Sequence, residues 1–141
     1  MFCEKMVFAY DGSDVAKKAL EKTVAIAKTN ASIQIDVLFA SELPQTPYVI
    51  EDVFEDMQQS MHEHGDAILT ETKEKLSSLP NHIDYYAVEG RAPQTILQHA
   101  ADQACDLIVI GNRGLTGIKE FLGSVSHYVV HHSQVPVLVV R

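Results

Sequence analysis

Short apolar runs alternating with segments of helical periodicity leave few folds open to this chain. The clearest run is Leu107-Ile108-Val109-Ile110, four apolar residues with no polar residue between them. A strand with one face on water alternates apolar and polar positions, whereas an unbroken run is covered on both faces. Met6-Val7-Phe8-Ala9-Tyr10 is a second such run and stops at Asp11-Gly12-Ser13. Ile33 to Ala40 reads as a strand, Ile83, Tyr85 and Ala87 alternate as another, and Pro136-Val137-Leu138-Val139-Val140 closes the series. Only about 22 residues separate the first two strands, room for one crossover helix, and a crossover makes the pair parallel.

The intervening segments carry the helical signals. Ser13 or Asp14 caps a segment in which Ala16, Ala19, Leu20, Val24 and Ala27 recur on one face. Residues 41–50, with Pro44 and Pro47, read as a loop, and residues 51–79 are helical by composition except at Gly65. Pro93 suits a first helical turn, and Ile96, Leu97, Ala100, Ala101 and Ala104 mark the inner face behind it. A Gly-rich loop spans 111–123, after which Val125, Tyr128, Val129 and His132 give a last helical face. The order β-α-β-α-β-α-β-α-β, without repeat or linker, predicts one α/β domain over residues 1–141: an open five-stranded parallel sheet with helices on both faces.

Composition narrows the partners. The net charge of −8 argues against a nucleic-acid binder, which needs a basic footprint to displace counterions. Much of that charge is local: residues 42–75 hold nine acids against two bases, most simply a solvated helix face. No stretch reaches the ~20 apolar residues of a membrane span, and no signal-peptide core follows Met1, so the cytoplasm is the expected location. Cys3 and Cys105 are too few for a disulfide or zinc framework, and Cys105 is expected to be a small buried hydrophobe. His62 and His64, two apart, do not share a helix face, and His131-His132 are adjacent, so neither pair predicts a metal site.

In doubly wound sheets ligands sit beyond the carboxyl ends of the strands, where the strand order reverses. Two loops follow strand ends here, Asp11-Gly12-Ser13 and Gly111 to Ser126. Gly111 and Gly114 let backbone approach a ligand closely. Gly123-Ser124 opens a helix whose amides and dipole favour an anion. Ser124 and Ser126 add hydroxyls, and Arg113 and Lys119 add charge. On spacing alone, phosphate binding and plain turn punctuation with Ser124 as N-cap both stand. The loop is not a P-loop, because Ser124-Val125 rather than Lys-Ser/Thr follows its last glycine, and its place between the fourth and fifth strands rules out a dinucleotide fingerprint.

A first strand ending in Asp11-Gly12-Ser13, then Asp106-Leu107-Ile108-Val109-Ile110-Gly111-Asn112-Arg113-Gly114, Gly123-Ser124-Val125-Ser126 and Val135-Pro136-Val137-Leu138-Val139-Val140 resembles the universal stress protein family, in order and over nearly the whole chain. The Gly-x-x-Gly, spacer, Gly-Ser pattern resembles its ATP-binding branch. The resemblance implies an adenine-nucleotide α-hydrolase-like, Rossmann-like sheet in the order 3-2-1-4-5. It implies that Asp11 contacts the adenine, with Ala9 and Tyr10 beside it and Ala40 packing near the base. Ile110, Gly111 and Gly114 would line the ribose and first phosphates, with Arg113 nearby. Gly123, Ser124, Val125 and Ser126 would cradle the rest. The ligand implied is ATP, or ADP or AMP, with or without magnesium or manganese. The spacer from Leu115 to Leu122, eight residues, is one shorter than is usual in the family, which bears on how many phosphates are held.

A regulatory nucleotide-binding module is the leading expectation. Asp11, Arg113 and Lys119 include no base paired with a metal-binding acid set, so at most slow ATP hydrolysis is expected. A nucleotide-free interaction module of the same fold is the other alternative. A phosphoryl-accepting receiver, which shares the layout, is set aside: Tyr10-Asp11 stands where an acidic pair is needed, and Glu89 where an Asp is needed. The last strand, Val137 to Val140, is apolar and falls at a sheet edge, a bare template for pairing. The resemblance implies a homodimer through it.

Overall fold

The computed structural model describes residues 2–11, 13–42, 51–112 and 123–141. Its elements are β1 (Lys5–Ala9), α1 (Asp14–Ala27), β2 (Gln34–Ser41), α2 (Glu51–Leu76), β3 (Ile83–Glu89), α3 (Ala92–Asp102), β4 (Leu107–Gly111), α4 (Ser124–His132) and β5 (Val137–Val140). The strands form one parallel sheet in the order β3-β2-β1-β4-β5. The chain therefore winds outward from β1 to β3, returns to the other side of β1 as β4, and ends at the opposite edge. Phe8 registers with Val37 on one side and with Val109 on the other.

Apolar side chains fill both faces. Met6, Phe8, Ile35, Val37 and Val109 pack with Ala19, Leu20, Ile68 and Leu76, which places α1 and α2 on one side. Val7, Leu38, Ile108 and Ile110 pack with Ile96, Ala100 and Val129, which places α3 and α4 on the other. The unbroken runs in β1 and β4 follow from this double coverage, since neither face of a central strand meets water. Helix α2 continues through Gly65, where an added Cβ would stand 3.0 Å from the Phe39 ring. The missing side chain lets the helix settle on that aromatic. The acids from Glu51 to Glu74 lie on the exposed face of α2, as expected.

Two helical faces differ from the expected ones. α3 ends at Asp102, with Ile96, His99 and Ala100 buried, while Ala101 is exposed. Ala104 lies beyond the helix with φ of 53°. The Cys105 amide donates to the Ala100 carbonyl at 2.9 Å, a closing turn that reverses the chain into β4. In α4 the buried residues are Ser126 and Val129, and His132 is exposed. His132 is the last residue of α4, and the chain leaves the helix at Ser133. No helix among the described residues is long and apolar enough to cross a membrane.

Candidate functional site

At the carboxyl ends of β1 and β4, where the winding reverses, the sheet opens into a cleft. It encloses about 580 Å³, open solvent included. Its lining includes Ala9, Tyr10, Asp11, Ala40, Ile110, Gly111 and Val125, all singled out from sequence. Ser13, Ala16, Leu38, Ala92 and Ile96 complete it and were not singled out. They come from the starts of α1 and α3 and from β2. The periodicity that marks Ala16 and Ile96 as core residues also aims them at the cleft floor, so pattern alone did not separate the two roles.

The approach of β1 and β4 to the helix starts rests on small residues and on backbone bonds. A Cβ on Gly111 would lie 2.9 Å from Val15 Cγ1 and 3.1 Å from the Val15 backbone. Only glycine lets the end of β4 come this near to α1. The Tyr10 amide donates to the Leu38 carbonyl at 2.9 Å, carrying the pairing with β2 past the last residue of β1. The Tyr10 ring packs on Phe8, centroids 5.4 Å apart, in the core beneath α1 and α2, and burial raises its phenol above the usual value. Its side chain is committed to that core, which leaves main chain as its contribution to the cleft.

Asp11 organises the turn after β1. Its Oδ1 accepts from the Ser13 amide at 2.8 Å, and the Ser13 hydroxyl in turn accepts from Ala16 N at 3.2 Å, capping α1. Ser13, not Asp14, is the cap. On the β4 side the Asn112 side-chain oxygen accepts from the Gly123 amide at 2.6 Å, and the Ser126 hydroxyl donates to the Gly111 carbonyl at 3.2 Å. These two bonds fasten the amino end of α4 to the end of β4. Gly123 is the N-cap of α4 and has no side-chain cap bond; Ser124 is the first helical residue and is exposed. The early amides of α4 point out of the helix and make its start electropositive. Arg113 and Gly114, with Gly12, Lys119 and the spacer, lie outside the described residues.

The arrangement suits a ligand with a flat apolar part and an anionic part. Ala9, Leu38, Ala40 and Ile110 supply an apolar floor, Asp11 a hydrogen-bond acceptor at its rim, and α4 an amide-rich end.

Residues 3–141 match the universal stress protein family. The universal stress protein YxiE of Bacillus subtilis is 37% identical over 145 residues, covering 97% of this chain and 98% of that protein. Among solved structures, a universal stress protein in complex with cAMP superposes with a TM-score of 0.76 at 27% identity, covering 100% of this chain and 99% of that one. A family protein from Arabidopsis thaliana with AMP bound superposes with a TM-score of 0.72 at 25% identity, covering 96% and 89%.

Proposed function

The chain belongs to the universal stress protein family, and from that premise we propose that the cleft between β1 and β4 binds an adenine nucleotide as a regulatory ligand in a stress response. One observation carries the reading: seven residues named from sequence as nucleotide contacts line a single cleft at the strand-order reversal. Relatives of the same fold with cAMP and with AMP bound support the ligand class.

In this reading the adenine lies over Ala9, Ala40 and Ile110, and its exocyclic amine donates to Asp11. The ribose passes Gly111, where no side chain intrudes. The phosphates run toward Gly123, Ser124, Val125 and Ser126, where the amides and dipole of α4 stabilise negative charge without a buried cation. The sequence resemblance assigns Gly114 and Arg113, outside the described residues, to the phosphates as well. ATP fits the pattern of glycines and helix start, and the chain pairs with a second copy along the free edge of β5.

Thermal unfolding with ATP, ADP, AMP and cAMP in turn tests the ligand class. A nucleotide at ~100 times its Kd stabilises by about 2.7 kcal/mol, or roughly 8–10 °C in Tm for a chain of this size. An Asp11→Ala variant should lose most of that shift. No shift with any of the four at millimolar concentration would leave the family fold without its ligand and defeat the reading.

A further inference from the structure

On the face beneath α3, one helical turn along from the cleft residue Ile96, three chemically unlike side chains converge in the core. Asp36 comes from β2, His99 from α3 and Cys105 from the turn before β4. His99 Nε2 lies 2.8 Å from Asp36 Oδ2 and Cys105 Sγ lies 3.9 Å from the same oxygen. One potential ligand atom from each of the three falls within 4.8 Å of the others. All three residues are buried, Asp36 at 1% exposure. We propose that Asp36, His99 and Cys105 form a buried binding site for one first-row transition-metal dication, zinc(II) by preference.

The donor set points to the ligand. Carboxylate oxygen, imidazole nitrogen and thiolate sulfur together suit a borderline dication; calcium and magnesium take oxygen alone. Around a tetrahedral ion at ~2.0 Å from oxygen and nitrogen and ~2.3 Å from sulfur, the donors stand roughly 3.2–3.6 Å apart. The observed 2.8 and 3.9 Å lie on either side of that spacing.

A second observation is independent of these distances. Asp36 Oδ1 is buried and has no hydrogen-bond partner among the described residues. The Lys5 ammonium, 3.5 Å away, faces Oδ2, as does His99. The contacts of His99, Cys105 and Lys5 all fall on Oδ2 and leave Oδ1 a buried acceptor still to be satisfied. Cys105 brings a buried thiol and its proton. Metal binding would release that proton to solvent and leave two anionic donors on one dication. Lys5, part-exposed on a flexible stem, can then turn outward.

The surroundings hold the donors in place. The left-handed turn at Ala104, φ 53°, brings Cys105 back under α3. The Tyr86 ring meets His99 edge-on at 4.6 Å between centroids. A surface hollow lined by Thr95, Gln98, His99 and Asp102 borders the cluster on its His99 side.

Cobalt(II) titration of the nucleotide-free full chain is the test. One equivalent should produce sulfur-to-cobalt charge transfer in the near ultraviolet with the visible bands of a tetrahedral ion, and zinc(II) should displace it. Cys105→Ser should abolish the charge-transfer band, whereas Cys3→Ser should keep it. So should the double variant His127→Gln/His131→Gln, which removes an exposed imidazole pair on α4. Asp36→Asn, which preserves shape and thiol, should weaken cobalt binding at least tenfold, with circular dichroism reporting that each variant is folded. Absence of the band from the wild-type chain, its survival in folded Cys105→Ser, or unchanged cobalt affinity in Asp36→Asn would overturn the proposal.

Discussion

Replacing Gly111 with alanine probes the close approach of β4 to the backbone of α1. The new Cβ would stand 2.9 Å from Val15 Cγ1, 3.1 Å from the Val15 carbonyl carbon and 3.1 Å from its oxygen. Carbon pairs settle near ~3.5–4.0 Å, so every one of these contacts must open by several tenths of an ångström. Val15 Cγ1 can rotate away. The two backbone atoms cannot, because they belong to the first turn of α1, which is fixed by the Ser13 cap. Overpacking of this kind costs about 1–3 kcal/mol, a fall of roughly 3–10 °C in Tm for a chain of this size. Ser13 and Ala16 sit on the displaced turn and line the same cleft, so nucleotide binding should also weaken about tenfold, or ~1.4 kcal/mol. Calorimetric melts and titrations of Gly111→Ala, Val15→Ala and the double variant measure both effects. Trimming Val15 removes one of the three close contacts, so the double variant should recover only part of the loss. A Gly111→Ala protein that melts and binds as wild type would refute the reasoning.

Ala104→Gly should stabilise the protein by about 0.5–1 kcal/mol, because glycine takes a left-handed turn without the Cβ penalty; a lower Tm would contradict the strain assigned to φ 53°. The Cys105 thiol is raised from 9.0 to about 12 by burial and then by Asp36. The unfolded chain therefore loses this proton first, and stability present below pH 9 falls as pH rises toward 12. The wild-type profile should drop more steeply there than that of Cys105→Ser; parallel profiles in urea melts would contradict it. Leu138 on β5 is 37% exposed, so Leu138→Lys should cost little stability, within about 0.5 kcal/mol, yet convert a dimer to monomer on a sizing column. An unchanged elution volume would place the contact elsewhere.

The strands were legible because both-sided burial writes itself as unbroken apolar runs, and Leu107–Ile110 is buried along its whole length. The cleft was legible because a turn after β1 and a glycine at the end of β4 mark places where backbone must come close. The end of α3 was not. Ala101 and Ala104 continue the helical spacing by composition, but alanine is equally at home outside the core, and the chain turns away after Asp102. The Asp36, His99 and Cys105 cluster was missed for a different reason. His99 and Cys105 lie 63 and 69 residues from Asp36 in sequence, and each alone has a bland explanation. The available signal was Asp36 itself, a charge inside the strand from Ile33 to Ala40, which needs a buried partner to be tolerated.

The central claim is that β1 and β4 end together around an adenine nucleotide. Amide NMR spectra of the labelled chain during ADP titration test it residue by residue. Shifts should concentrate at Ala9, Tyr10, Asp11, Ala40, Ile110, Gly111 and the start of α4, with the β3 edge unmoved. A saturated spectrum unchanged at those amides, or shifts confined to another face, would contradict the account.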